Sequence, residues 1–216
     1  MTTRRIVCLI AIVFCCGSSL SADPTSGFET GNLAGWASAG PVAAVTEQYS
    51  RDFLGLAQPP VTGTWLAAEG NYFAALWSTD NAGADAASLS ASFDALAGDT
   101  LHFRYFFDFG DMAPYYDTAV GLLTWTGGSE VLFEYNTPGY ELADDENIDW
   151  TYVSYGLPIT GAYTLQFSTQ DGSDSFESIL GIDAVAVETI VPAPGAFVLG
   201  IIGIGLVNRL RRRRVT

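Results

Sequence analysis

The sequence predicts an all-β fold, an antiparallel β-sandwich of the jelly-roll type, flanked by an N-terminal signal peptide and a short C-terminal apolar helix. Three observations predict it. Apolar and polar residues alternate with period two through most of the chain; Gly, Asp, Asn and Pro bound the alternating stretches; and almost nothing between residues 22 and 190 repeats with the period of a helix, so there is no crossover segment for a parallel sheet. The chain of 216 residues, nearly half of them apolar, suffices for one sizeable core. Residues 1–21 are assigned to the signal peptide, 22–190 to the sandwich and 191–216 to a C-terminal tail.

In order along the chain, Arg4 and Arg5 precede an apolar run from Ile6 to Cys16 and the small residues Gly17, Ser18 and Ser19, the sequence of regions in a secretory signal. Cleavage after Ser21 puts Ser19 and Ser21 where small residues are needed; lipidation at Cys16 is the rival reading. Strands are then expected at Val42–Glu47 and Tyr72–Ser78. Leu89, Ala91 and Phe93 form an alternating set that turns at Ala97-Gly98-Asp99 into the clearest strand, Thr100–Phe109. There Leu101, Phe103, Tyr105, Phe107 and Phe109 share an inner face, and His102, Arg104, Phe106 and Asp108 an outer one. Thr118–Thr126, Glu130–Tyr135 and Trp150–Tyr155 follow. Thr160-Gly161 opens the strand carrying Tyr163, Leu165 and Phe167, and Ile179–Glu188 closes the set of about nine.

Charge divides the molecule sharply. All 24 acidic residues lie between Asp23 and Glu188, where the basic residues are Arg51 and Arg104 and there is no lysine. Such a body repels nucleic acid and anionic lipid and attracts cations. Cys8, Cys15 and Cys16 all fall in the first apolar run, so no disulfide holds the sandwich and no thiol serves its chemistry. The acidic stretches Asp171-Gly172-Ser173-Asp174-Ser175-Phe176-Glu177 and Asp144-Asp145-Glu146 with Asp149 lack the spacing of an EF-hand and read as solvated turns.

At the C-terminal end, Val191-Pro192-Ala193-Pro194-Gly195 introduces an apolar run from Ala196 to Val207, followed by Asn208, Arg209, Leu210 and the cluster Arg211, Arg212, Arg213 and Arg214. A helix over those apolar residues covers roughly 18 Å of a hydrocarbon core about 30 Å thick, short for a permanent anchor, and the arginines hold the terminus on the cytoplasmic side. The Pro-x-Pro motif, the glycine-containing apolar helix and the arginine cluster together resemble a PEP-CTERM sorting tail, with Ala193 where that pattern has glutamate. The resemblance implies that the export machinery and an exosortase handle the chain, that the tail holds it at the inner membrane at least for a time, and that it is delivered to the cell envelope, the cell surface or the extracellular matrix, beside exopolysaccharide.

The body opens with Gly27-Phe28-Glu29-Thr30-Gly31-Asn32-Leu33-Ala34-Gly35-Trp36 and closes with Ile182-Asp183-Ala184-Val185-Ala186-Val187. These two segments resemble the frame of carbohydrate-binding jelly-roll modules. In such modules the opening glutamate and closing aspartate help hold a structural calcium, a pair that maps onto Glu29 and Asp183. Asp183 shares the parity of Val185 and Val187, so it is expected to face the apolar side, where an uncompensated carboxylate is costly. Calcium with further oxygen ligands is one compensation; backbone amides at the sheet rim are the other.

An aromatic sugar platform has candidates in Trp36, Trp65, Trp77, Trp125 and Trp150, most of which also suit a core. The stretch from Asp108 to Asp117 reads as a polar-aromatic loop, and Asp108, Asp111, Tyr115 and Tyr116 are its candidate ligand contacts. Catalysis finds little support: His102 is the single histidine, on the outer face, no Gly-x-Ser-x-Gly elbow occurs, and no pair of carboxylates is marked out. The expected function is a non-catalytic exported surface or matrix protein, with a carbohydrate-binding module as the alternative and a glycoside hydrolase or lyase as the third reading.

Overall fold

The computed structural model describes residues 27–49, 64–78, 86–109, 117–136, 147–170, 172 and 177–189; the signal segment and the tail lie outside these. Twelve strands follow one another: β1 (Ala37–Ala39), β2 (Val42–Val45), β3 (Glu47–Tyr49), β4 (Thr64–Leu66), β5 (Phe73–Trp77), β6 (Ala87–Ala95), β7 (Thr100–Asp108), β8 (Thr118–Trp125), β9 (Gly128–Tyr135), β10 (Asn147–Gly156), β11 (Gly161–Gln170) and β12 (Ile179–Glu188). No helix occurs among the described residues.

Two five-stranded antiparallel sheets form a sandwich, one in the order β1-β6-β11-β8-β9 and the other β10-β7-β12-β5-β2. Each chain crossing from one sheet to the other gives the jelly-roll path. The inner face of β7 is the aromatic row that alternation predicts: Leu101, Phe103, Tyr105 and Phe107 are buried, and Phe103 meets Phe167 of β11 edge-on at 5.0 Å. Leu89, Phe93, Leu123, Leu165, Leu180 and Ile182 complete the core, and Phe28 of the opening segment is sealed into it beside Trp36. Burial of such side chains contributes roughly 1.5–3 kcal/mol each and is the main driving term for the fold.

The outer face of the second sheet departs from expectation. Phe106, placed by alternation on the outer side of β7, is not solvated but fully buried in a second cluster with Trp65, Phe73, Ala75 and Ile179. The strand pair β3–β4 lies over that face and supplies Trp65, whose ring stacks on Phe106 at 4.0 Å and 3°. Trp150 stands edge-on to Phe106 and to Phe73 and donates its indole N–H to the Leu66 carbonyl at 2.9 Å. Room for the Phe106 ring comes from Gly181 on the neighbouring strand, where a Cβ would stand 2.0 Å from Cε1.

A bulge corrects the parity of β12. Ile182 pairs with Tyr105 and Asp183 with Arg104, but Ala186 is next in register, with His102. Ala184 takes a positive φ of 52° and absorbs the extra residue. Val185 and Val187 therefore turn inward, while Asp183 stays on the outer face with Arg104, the reverse of the side that uninterrupted alternation gives.

Candidate functional site

The half of this outer face that β3–β4 leaves uncovered forms an open cleft of 530 Å³. Three neighbouring strands build its floor: β7 brings His102 and Arg104, β10 brings Tyr152, and β12 brings Asp183, Ala184 and Ala186. Gly27 and Glu29 of the opening segment and Glu69 and Gly70 after β4 form the wall.

Two carboxylates fix that wall through backbone amides. Glu29 accepts the Asn71 N–H on both oxygens, at 3.1 and 2.8 Å, and the Tyr72 N–H at 3.2 Å. Asp183 accepts the Glu69 N–H on Oδ2 at 2.9 Å and the Ala184 N–H on Oδ1 at 2.7 Å. The chain's opening and closing segments thus grip the same turn, residues 69–72. Gly70 permits the grip, because it has φ +65° and a Cβ there would fall 2.2 Å from the Glu29 carboxyl carbon. Burial pushes the Asp183 carboxyl above the usual carboxylate range; the amides of Glu69, Ala184 and Ala68 oppose the shift, and the charge of Glu29 adds to it.

Of the two compensations open to Asp183, the amides are thus present. As a calcium ligand set, Glu29 and Asp183 bring two like charges together, although Glu29 Oε1 already accepts two amides, those of Asn71 and Tyr72. No third His, Cys, Asp or Glu joins them in a metal-binding group among the described residues. A calcium ion held here would take its remaining ligands, out of about six to eight, from carbonyls and water.

At the cleft floor, Tyr152 is 56% exposed, which leaves much of its ring open to solvent. It is the register partner of Arg104, whose guanidinium carbon stands 5.6 Å from the ring centroid, and His102 lies 6.1 Å from the same ring. An exposed ring beside nitrogen donors and carboxylate acceptors matches a pyranose, which has an apolar face for stacking and a rim of hydroxyls for hydrogen bonds. His102 occupies the outer face that alternation assigns to it, and the cleft-lining residues include no Ser, Thr or Cys.

The other candidates that are described lie away from this cleft. Asp108 ends β7 fully buried and accepts the Trp65 indole N–H on Oδ2 at 2.8 Å, so it ties the hairpin to the sheet instead of facing a loop surface. Asp111, Tyr115 and Tyr116 lie outside the described residues, as do Val191, Pro192, Ala193, Pro194 and Arg211 to Arg214. Trp36 packs on Phe28 and Phe167, and Trp65 is interior. Trp125 edges a shallower hollow of 360 Å³ on the opposite sheet, with Ser92, Thr124, Thr126 and Thr164. Sequence reasoning missed Tyr152 and Arg104 as a pair. Their signal is the register that sets them opposite each other, and period-two alternation carries no information on register between distant strands.

Several solved structures are similar in fold. A carbohydrate-binding module in complex with β-1,4-galactotriose matches at 18% identity over 78% of this chain and 98% of that one, with a TM-score of 0.47. A xylan-binding domain from Paenibacillus barcinonensis matches at 15% identity over 77% and 93%, with a TM-score of 0.40. An adhesin domain of Lys-gingipain from Porphyromonas gingivalis matches at 16% identity over 79% and 99%, with a TM-score of 0.42. No protein-family model matches the sequence, and no curated protein matches it.

Proposed function

We propose that this chain is an exported, non-catalytic carbohydrate-binding protein that holds a polysaccharide in the cleft over β7, β10 and β12. The observation that carries the reading is the exposed Tyr152 ring flanked by Arg104 and His102 in an open cleft. An open floor suits an internal stretch of a long polymer, and the carboxylate of Glu69 on the exposed wall suits sugar hydroxyls. Calcium between Glu29 and Asp183 belongs to the same reading, as a clamp on the turn that shapes the wall.

The tail motif Pro192-Ala193-Pro194 with Arg211 to Arg214 supports delivery to the envelope or matrix through an exosortase, where such a polymer is at hand. The test is depletion by a broad set of polysaccharides, with Tyr152→Ala beside the wild type. At least one polymer should retain the wild type, and the variant should bind about tenfold more weakly, equivalent to about 1.4 kcal/mol, with its melting temperature unchanged. Retention of neither protein by any polymer refutes the reading.

A further inference from the structure

We infer that the cleft selects a carboxylated sugar, a uronic-acid residue within an acidic polysaccharide, and that Arg104 is the residue that selects it; this rests on the carbohydrate reading above. Arg104 is the one lysine or arginine among the described residues, in a chain with 24 acidic side chains. Three of those, Glu29, Glu69 and Asp183, line the same cleft, and Asp183 is its direct partner in register. Yet among the described residues no carboxylate pairs with it and no acceptor takes its N–H groups. Both oxygens of Asp183 accept backbone amides instead, and those of Glu29 do the same. The guanidinium lies over the Tyr152 ring, half-buried, with its five donors unspent.

Partial burial of a charged group whose N–H donors lack acceptors is costly, and a ligand that supplies the acceptors recovers that cost. The planar fork of a guanidinium fits a carboxylate with two parallel hydrogen bonds, a match that a neutral hydroxyl cannot reproduce. A uronate with its ring on Tyr152 places its carboxylate over Arg104 and leaves His102, two residues along the same strand face, for an adjacent hydroxyl. The acidic surface around the cleft repels a polyanion at long range, but screening confines that repulsion to about 8 Å at physiological ionic strength. Affinity for the acidic polymer should therefore rise between about 10 and 150 mM salt, opposite to the usual loss for ion-pair recognition.

The experiment is calorimetric titration of the purified protein with galacturonate and alginate oligomers, each beside its carboxyl-reduced form, and with dextran sulfate. At least one carboxylated oligomer should bind at least tenfold tighter than its reduced form. Arg104→Gln should bring the two level, and Arg104→Lys, which keeps the charge without the fork, should lose most of the preference; melting curves confirm that the variants are folded, and the lysine variant carries the test if the glutamine variant is not. Equal binding of acidic and reduced oligomers by the wild type, or a preference unchanged in a folded Arg104 variant, overturns the uronate inference and leaves the carbohydrate reading standing. Dextran sulfate binding as tightly as the oligouronates also overturns it. Binding of no sugar at all removes both.

Discussion

Replacing Trp65 with phenylalanine probes one of the bonds that fasten β3–β4 to the second sheet. The variant keeps a ring to stack on Phe106, and what it removes is the indole N–H held by Asp108 Oδ2 at 2.8 Å together with the volume of one fused ring. Trp65 is 2% and Asp108 0% exposed, so water cannot take the place of the lost donor. A hydrogen bond to a charged acceptor contributes about 1.5–3 kcal/mol, and the lost ring volume adds to it, which puts the total at about 3 kcal/mol. For a domain of this size that lowers the melting temperature by about 6–12 °C. Urea and thermal unfolding of Trp65→Phe, Asp108→Leu and the double variant give a thermodynamic cycle. Its coupling energy should be about 1.5 kcal/mol or more. A Trp65→Phe variant within about 0.5 kcal/mol of wild type, or a cycle that is additive, refutes the account of why the hairpin stays on the sheet.

Gly70→Ala should destabilise by about 3 kcal/mol or more, since it adds displacement of Glu29 to an unfavourable φ, whereas Gly127→Ala, with φ +96° and nothing within 4 Å of its Cβ, should cost only the conformational strain of about 1–2 kcal/mol; equal losses contradict the Glu29 clamp. Burial raises the carboxyls of both Asp117 and Asp183 above their unfolded range, so the folded state binds these protons more tightly than the unfolded one. Their cost is absent below the ordinary carboxylate range near pH 4, grows as pH rises towards the shifted values, and is complete above them. In chelator the melting temperature should therefore be higher at pH 5 than at pH 8, and a profile that rises instead rejects the burial argument. Chelation at pH 7 should lower the melting temperature, and Glu29→Ala or Asp183→Ala should abolish the difference; an unchanged curve in chelator removes calcium from the fold.

The sandwich was legible because its inner faces obey one rule. Leu101 to Phe107, Leu89 to Phe93 and Tyr163 to Phe167 each alternate without interruption, and each lies inside. Three features escaped that rule. Phe106 sits on the predicted outer face, but alternation names a side and says nothing of whether a distant strand covers it; the cover, β4, is three residues long and offers no period to detect. Asp183 was given the parity of Val185 because the bulge between them rests on an alanine at positive φ, a residue type that seldom announces such a turn. The expected strand Val42–Glu47 divides after Val45, so that β2 extends the second sheet while β3 leaves it to pair with β4. At the candidate site, the motif ends Glu29 and Asp183 were visible and do grip one turn. Tyr152 and Arg104 were not visible as a pair, since their meeting depends on how β10 and β7 are aligned.

The position of β12 has a consequence for the order in which this protein can fold. The last described strand is the middle one of its sheet, with β7 on one side and β5 on the other. Without it that sheet is two separate ribbons, β10–β7 and β5–β2, each too narrow to stand alone in water. A chain that emerges N-terminus first, from a ribosome or through a secretion channel, therefore has no closed domain until residues 179–188 arrive. Completion is deferred to the last described strand, and the same strand brings Asp183 to the turn that Glu29 also holds.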